Sequence, residues 1–139
     1  MTLSILDDGQ LQQLLRDDVP AGDLTTSSLG IADLAARLDC SARQGMTLCG
    51  VEEAARLFQL LGVQVEVHAH SGQTLAAGTP ILSVEGSAGA LHQGWKTAQV
   101  LMEWASGVAS ASAALVAAAA PLPVACTRKS APGTKALAV

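Results

Sequence analysis

Aromatic side chains are almost missing from this sequence of 139 residues. They make up 2% of it, with no Tyr, one Phe and two Trp. We therefore expect a core of Ala, Val and Leu in which Trp95 and Trp104 are the only large anchors. Charged residues are scarce as well, at 14%, which is too few for a solvated disordered chain. Because so little charge is available for the surface, we expect part of the apolar surface to be covered by something outside this chain.

Positive charge is in particularly short supply. Eight Lys and Arg stand against 12 Asp and Glu, which gives a net charge of −4. No basic stripe is present to neutralise phosphates, so the composition argues against a nucleic-acid partner.

Features of secreted and membrane proteins are also missing. The three cysteines form no CxxC pair and no even set, which favours reduced thiols and a cytoplasmic location. The N-terminus has no apolar leader preceded by Lys or Arg, so we do not expect secretion. Residues 108–124 are the most apolar tract, but they are mostly Ala and contain Pro121 and Pro123. Because alanine forms helices well and contributes little to membrane insertion, this tract predicts a buried helix and no membrane partner.

Hydrophobic periodicity predicts an α+β domain followed by the start of another unit. Helical spacing predicts helices over 11–19, 51–61 and 88–120, the last interrupted at Ser106-Gly107. Alternation predicts strands over 34–42 and 63–70, with shorter extended pieces at 46–49, 74–78 and 80–84. Residues 124–127 then predict a buried strand. The polar run over 17–26 is interpreted as an ordinary loop, in which Asp23 or Thr25 could cap a helix.

The sharpest local signal for chemistry is Thr127-Arg128-Lys129, at the end of that last strand and just before Pro132-Gly133. In barrel-like α/β proteins the C-terminal ends of strands carry the reacting groups. Arg grips a carboxylate or phosphate with a planar fork, whereas Lys acts as a mobile point charge. The pair therefore suits a small anionic ligand. The alternative is a solvated basic turn after a strand.

Other candidate residues favour structural roles. His68 and His70 share one face of a predicted strand and could form a metal pair, but no third ligand is placed near them in sequence, so an exposed strand face is favoured. His92 is expected on the surface. Glu52 and Glu53 lie in the first turn of a helix, where they interact favourably with its dipole. No Gly-rich phosphate loop and no Ser-His-Asp pattern is recognisable in the sequence.

Four motifs follow one another along the whole chain, beginning with an acidic pair followed by Gly-Asp-Leu-Thr. They are Asp17-Asp18-Val-Pro-Ala-Gly22-Asp23-Leu-Thr25-Thr26, Cys49-Gly50-Val51 with Gly72, Gly78 and Val84-Glu-Gly86, Lys96 to Leu101 with Ser106-Gly107-Val108-Ala109-Ser110, and Thr127-Arg128-Lys129-Ser-Ala-Pro-Gly133. Together these motifs resemble those of the quinolinate phosphoribosyltransferases, most of all their ModD branch, which is associated with molybdate-transport loci. The last motif closely matches the family's Thr-Arg-Lys-Thr-x-Pro-Gly.

The resemblance implies a fold and an activity. The fold would be a hammerhead or barrel-sandwich-like α+β N-terminal domain over 1–107, including a dimer helix, followed over 108–139 by the first strand of a truncated α/β barrel. The activity would be transfer of a 5-phosphoribosyl group from phosphoribosyl pyrophosphate to a pyridine carboxylate. In the family, quinolinate becomes nicotinate mononucleotide with loss of carbon dioxide. A homodimer and Mg²⁺ are implied as well, with the metal's ligands outside this chain.

The resemblance also assigns substrate-binding residues, though no catalytic residue and no metal ligand within this chain. Arg128 would clamp a substrate carboxylate, and Lys129 would meet phosphate or the same carboxylate, with Thr127 beside them. Lys96 occupies the position of a family arginine that reaches into the neighbouring subunit's site. Because Lys cannot replace the two-pronged grip of Arg, this departure puts quinolinate itself in doubt as the acceptor.

The family's barrel continues well beyond the Thr-Arg-Lys motif and carries further site residues. We therefore expect this chain to be an N-terminal fragment that is inactive by itself. Two other classes remain open. One is a lipoyl-carrier-like binding module, although such a carrier needs a modifiable Lys at a hairpin tip and neither 71–73 nor 86–87 has one. The other is a structural module that dimerises through helices 88–120.

Overall fold

The computed structural model of the protein describes residues 5–127, 129–131 and 134–135, and these contain four helices and five strands. In chain order they are α1 (Asp8–Asp18), α2 (Leu24–Leu29), β1 (Ala35–Ser41), β2 (Met46–Thr47), α3 (Val51–Leu60), β3 (Gln64–Val67), β4 (Thr74–Leu75), β5 (Pro80–Ser87) and α4 (Ala88–Ala119).

The strands form two antiparallel sheets. Three strands pair in the order β1-β5-β3, and β2 pairs with β4. In the larger sheet Val84 of β5 lies opposite Leu38 on one side and Val65 on the other. Since successive side chains of a strand point to opposite faces, this register gathers the apolar residues on the face that meets α3 and α4. Helices on one side of antiparallel sheets confirm the predicted α+β class.

The core is centred on Phe58 of α3, which is fully buried, and not on the two tryptophans. The expectation that Trp95 and Trp104 anchor the core is wrong, because they are 36% and 43% exposed. The physical reason is the close approach of α4 to α3. A side chain at Gly94 would meet the Phe58 ring at 2.9 Å, so this interface has no room for an indole. The core cluster consists of Ala42, Leu48, Val51, Ala54, Phe58, Ala69, Leu75, Ile81, Leu82, Val84, Leu91, Ala98 and Met102.

α4 is continuous, so the predicted interruption at Ser106-Gly107 is wrong. The Ser106 hydroxyl is buried against the loop after β2, where it accepts a hydrogen bond from the Cys49 N–H at 3.0 Å and donates to the Cys49 carbonyl at 3.2 Å. One turn later the Ser110 hydroxyl accepts from the Thr47 N–H at 2.9 Å. A serine that would be a weak point in an isolated helix is here fixed by tertiary hydrogen bonds.

The predicted strand over 124–127 is also wrong. No strand is present among the described residues that follow α4, and Val124 is 49% exposed. A strand needs a neighbour for its backbone hydrogen bonds, and the described residues offer none there.

Another predicted bound also differs from the structure. β3 ends at Val67 and does not reach His70. α4 runs through the predicted boundary at 107/108, and both that division and the barrel-sandwich description stay predictions.

The second half of α4 leaves apolar surface uncovered, so the prediction that the tract 108–124 is a buried helix is wrong for the described chain, in which little packs against it. Val108, Leu115 and Val116 are 41%, 67% and 52% exposed. By length and composition alone α4 could cross a membrane, since an 18-residue window has a mean hydropathy of 1.4. One such helix is weak evidence, because core helices pass the same test, and the first half of α4 packs into the core through Leu91, Ala98 and other side chains.

α2 was not predicted as a helix, although the alternative that Asp23 caps one is confirmed. The Asp23 carboxylate accepts hydrogen bonds from the backbone N–H of Thr25 and Thr26, at 3.1 and 3.4 Å, and from the buried Thr26 hydroxyl. This last bond, above all, lowers the pKa of Asp23. A short polar helix with no apolar stripe gives no periodic signal, so only its cap was recognisable in the sequence.

Two glycines of α4 should respond oppositely to alanine. At Gly94 the new methyl group would lie 2.8 Å from Leu61 Cδ1 and 2.9 Å from Phe58 Cε1, whereas at Gly107 nothing lies within 4 Å. We expect Gly94→Ala to lower the free energy of unfolding by about 1–2 kcal/mol through overpacking. Gly107→Ala should raise it by up to about 1 kcal/mol through helix propensity. Urea unfolding measures both, and changes of the same sign would contradict the packing described here.

Replacing Asp23 with alanine should lower the melting temperature at neutral pH, because α2 loses its cap. The folded state lowers the pKa of Asp23, so its stabilisation is complete above the ordinary pKa of a carboxyl and disappears as the pH falls through the folded value. The difference in melting temperature between the wild type and Asp23→Ala should therefore shrink below about pH 4. Asp33→Ala, which removes an exposed carboxylate, is the control. A difference that stays constant down to pH 2 would contradict the role of the charge.

Candidate functional site

The described residues of the basic motif after α4 are exposed. They are Thr127 and Lys129, and the Lys129 N–H donates to the Thr127 hydroxyl at 3.3 Å. Arg128 lies outside the described residues, as do Pro132 and Gly133. Within the part of the chain that the structure describes, no carboxylate forms an ion pair with Lys129, which leaves its charge available for an anion.

Lys96 lies on the outer side of α4 with no acidic partner among the described residues. Its ammonium nitrogen is 4.1 Å from the centroid of the Trp95 ring and donates to the Gln99 side chain at 3.2 Å. Both partners are neutral. The charge of Lys96 is therefore held in place without being neutralised.

Lys96 borders a groove of about 400 Å³ between α1 and α4. The acidic pair Asp17-Asp18 forms its rim, and Asp18 accepts a hydrogen bond from the Thr97 hydroxyl at 3.1 Å. The structure thus brings together two motifs that lie almost eighty residues apart, a proximity that the sequence did not predict. The groove is lined by Leu14, Asp17, Asp18, Lys96, Thr97, Val100, Leu101 and Trp104.

The candidate residues do not form one site within the described part of a single chain. Lys96 lies near the start of α4 and Thr127 follows its end. The rise of the helix from Lys96 to Ala119 alone is about 35 Å. No described hydrogen bond, ion pair or ring contact joins Lys96 to Thr127 or to Lys129. The two basic elements therefore stand at opposite ends of the same helix.

The histidines singled out in the sequence have separate partners. His68 Nε2 lies 2.8 Å from the Ser83 hydroxyl, and His70 Nδ1 lies 3.6 Å from Glu52 Oε1. His92 is exposed as predicted, 3.9 Å from the Asp23 carboxylate. Among the residues that the structure describes, no three His, Cys, Asp or Glu side chains are placed to hold a metal.

The acidic pair lies in the first turn of α3, as predicted, and both carboxylates also bond other segments of the chain. Glu52 accepts hydrogen bonds from the Ser71 N–H at 3.1 Å and from the Ser71 hydroxyl. Glu53 is buried and accepts from the Ile5 N–H at 2.7 Å. One carboxylate fixes the turn before β4 and the other ties down the N-terminal segment.

A polar network on the outer face of the larger sheet was missed by the sequence analysis. The buried Ser83 hydroxyl donates to Asp39 at 2.6 Å and accepts from Arg37 at 3.2 Å. Arg37, followed by Ser83, lowers the pKa of Asp39. His68 contacts the same hydroxyl, so a serine, a histidine and an aspartate do meet here.

This network differs from a catalytic triad. In a triad the carboxylate orients the imidazole and the imidazole takes the serine proton. Here the Ser83 hydroxyl donates its hydrogen bond to the carboxylate of Asp39 and not to the imidazole, and Arg37 also pairs with Glu85 across the sheet. The arrangement ties β1 to β5. Arg37 and Asp39 are two residues apart in β1 and so share one face of the strand, but only the register with β5 reveals what they contact.

Comparison with known proteins gives consistent results. The model of the quinolinate phosphoribosyl transferase N-terminal domain matches residues 23–106. The ModD protein of Rhodobacter capsulatus, named as a pyrophosphorylase, is 50% identical to this chain. The match covers 97% of this chain and 54% of that protein. A Synechocystis protein named as a carboxylating nicotinate-nucleotide pyrophosphorylase is 34% identical and is matched over 96% of this chain and 46% of its own length.

Solved structures show the same fold. The crystal structure of NadC from Streptococcus pyogenes superimposes with a TM-score of 0.83 at 27% identity, over 91% of this chain and 47% of that one. The chain spans about half the length of the curated relatives it matches. Since the family model covers more than half of the chain, the chain belongs to the quinolinate phosphoribosyltransferase family, of which it carries the N-terminal domain.

Proposed function

We propose that this chain is the N-terminal part of a phosphoribosyltransferase that moves the 5-phosphoribosyl group from phosphoribosyl pyrophosphate to a pyridine carboxylate. The observation that carries the proposal is that Lys96 and Lys129, in two motifs of the family, are exposed cations without an acidic partner in the described chain. Both substrates are anions. Cations that are fixed but not neutralised are what such substrates need.

The site is assembled from two subunits in this proposal. Lys96 lies near the start of α4, and Thr127 and Lys129, the described residues of the basic motif, follow its end, so a single chain would offer each anion only part of its contacts. In a homodimer, Lys96 of one subunit would complete the site built around Arg128 of the other. The uncovered apolar surface of α4 at Val108, Leu115 and Val116 agrees with a contact of this kind.

The residues would divide the work by charge geometry. Arg128 would hold a carboxylate of the acceptor with two parallel hydrogen bonds, and Lys129 would meet phosphate as a point charge. Thr127 would hold the backbone of Lys129 through the hydrogen bond that its hydroxyl accepts from the Lys129 N–H. During transfer the bond from the ribosyl carbon to pyrophosphate breaks and the acceptor nitrogen forms the new bond. The cations bind and orient the two anions for that exchange.

Family resemblance implies Mg²⁺ with the pyrophosphate, but the described residues do not fit it. They bring no three acidic, His or Cys side chains together as a metal site, so no step is assigned to a metal held by this chain. In this proposal Lys96 stands where the family has an arginine, so the acceptor must be a pyridine carboxylate that a lysine can bind. For the ModD branch this acceptor can differ from quinolinate. We place the protein in the cytoplasm with no nucleic-acid or membrane partner, and expect this chain alone to be inactive.

The second candidate is a domain that dimerises without catalysis. The exposed apolar side chains of α4 favour it independently of any substrate. It predicts that the complete protein is a dimer in gel filtration and does not catalyse phosphoribosyl transfer. The transferase proposal predicts both a dimer and turnover, so an assay of phosphoribosyl transfer on the complete protein separates the two.

Arg128→Ala in the complete protein should lower kcat/KM at least tenfold, because a charged hydrogen-bonded clamp is lost. The measurement is release of pyrophosphate from phosphoribosyl pyrophosphate with a pyridine carboxylate as acceptor. Arg43→Ala is the matched control, because Arg43 is exposed and belongs to no motif of the site. Unchanged kinetics of Arg128→Ala would remove Arg128 from the site.

Lys96→Ala should also lower activity, and mixing should restore part of it. A dimer of one Lys96→Ala and one Arg128→Ala subunit has one site with both cations intact. Random mixing of the two weakened variants should therefore recover about a quarter of the wild-type activity. If Lys96 served the site of its own subunit, no mixed dimer would have an intact site, and the mixture would be no more active than its components.

A further inference from the structure

The contact between Lys96 and Trp95 is not dictated by helix geometry. Neighbouring residues on a helix point about 100° apart and do not face each other. The Lys96 ammonium nevertheless lies 4.1 Å from the centroid of the Trp95 ring, well within the range of a cation–π interaction. The Lys96 side chain therefore folds back over the indole. The ring thus holds the ammonium from one side, and Gln99, one turn further along the helix, bonds it from another.

The ring is itself held in place. Trp95 is 36% exposed, so most of its surface is covered, and the His92 ring meets it edge to face, with centroids 6.4 Å apart and planes at 62°. His92 in turn lies 3.9 Å from Asp23, the cap of α2. A line of contacts thus runs from the Gly-Asp-Leu-Thr motif through His92 and Trp95 to Lys96.

Neither described partner of the Lys96 ammonium carries a charge. Besides the contact with Trp95, its hydrogen bond within the described part of the chain goes to the amide oxygen of Gln99, at 3.2 Å. Asp17 and Asp18 line the same groove, but neither forms an ion pair with Lys96. A carboxylate would hold the ammonium more firmly, but it would also compete with an incoming anion. An aromatic face restricts the position of the charge and leaves it unneutralised.

We propose that Trp95 is a positioning residue for Lys96, an inference that rests on the proposed function. Lys is a point charge on a flexible stem, whereas Arg is a rigid fork. The indole face supplies the order that lysine lacks, so that Lys96 presents its charge in one place to an anionic substrate. Trp95 acts through Lys96 and does not touch the substrate.

A double-mutant cycle on the complete protein tests this. Trp95→Leu should raise KM for pyridine-2,3-dicarboxylate or for phosphoribosyl pyrophosphate about two- to fivefold, the size of a cation–π contact at a partly exposed site. Its kcat should change less, and Trp95→Phe should restore most of the loss because the ring face remains. In a Lys96→Ala background, Trp95→Leu should have no further effect. Additive effects of the two substitutions would overturn the proposal, since Trp95 would then act independently of Lys96.

A second measurement uses this chain alone and needs no activity. In a ¹H–¹³C NMR spectrum the ε-methylene protons of Lys96 should be shifted upfield by the indole ring current, relative to those of the exposed Lys129. The shift should disappear in Trp95→Leu. A wild-type spectrum without the shift would overturn the proposal even if Trp95→Leu failed to fold. If the shift is present but the complete protein shows no transfer, the proposed function fails and the contact stands.

Discussion

The close approach of α4 to α3 is the constraint on which the rest of the structure depends. Phe58, the single phenylalanine of the chain, fills the centre of the core. α4 packs closely against its ring at Gly94, where a side chain would not fit. Fixing Gly94 against Phe58 fixes the rotation of α4. Trp95 and Lys96, the next two residues, are then turned to the outer surface, where Lys96 borders the groove with α1. The packing of Gly94 on Phe58 thus places Lys96 on the outer side of α4.

Most elements of the domain could be predicted because their signals are local. The alternation around Leu38 and the helical spacing around Phe58 give the right elements within a few residues, since half-buried strands and amphipathic helices imprint their periods on the sequence. Ser106 misled the prediction because its hydroxyl bonds Cys49, 57 residues away. The mostly apolar residues 124–127 misled the prediction for the opposite reason. They have the composition of a strand, but a strand forms only beside a partner, and the described residues provide none.

The candidate site divides in the same way. Lys96 and the basic motif after α4 could be found from sequence because their residue types and order are motifs. The meeting of Asp18 with Thr97 and the position of Lys96 over Trp95 could not, because both depend on how side chains fold back once the helices have packed. The network around Ser83 depends on the register between β1 and β5, which no local pattern specifies.

The two serines of α4 that bond the β2 segment have a consequence for solubility. Ser106 and Ser110 are four residues apart, a rise of about 6 Å, which nearly equals the spacing of alternate residues in a strand. The helix can therefore stand in for a neighbouring strand, accepting from the Cys49 and Thr47 N–H groups while Leu48 bonds across to Gln73. No N–H of these three residues is left to template another chain. An open edge on a short sheet could pair with the edge of another chain and lead to aggregation. Here α4 covers that edge and occupies its N–H groups.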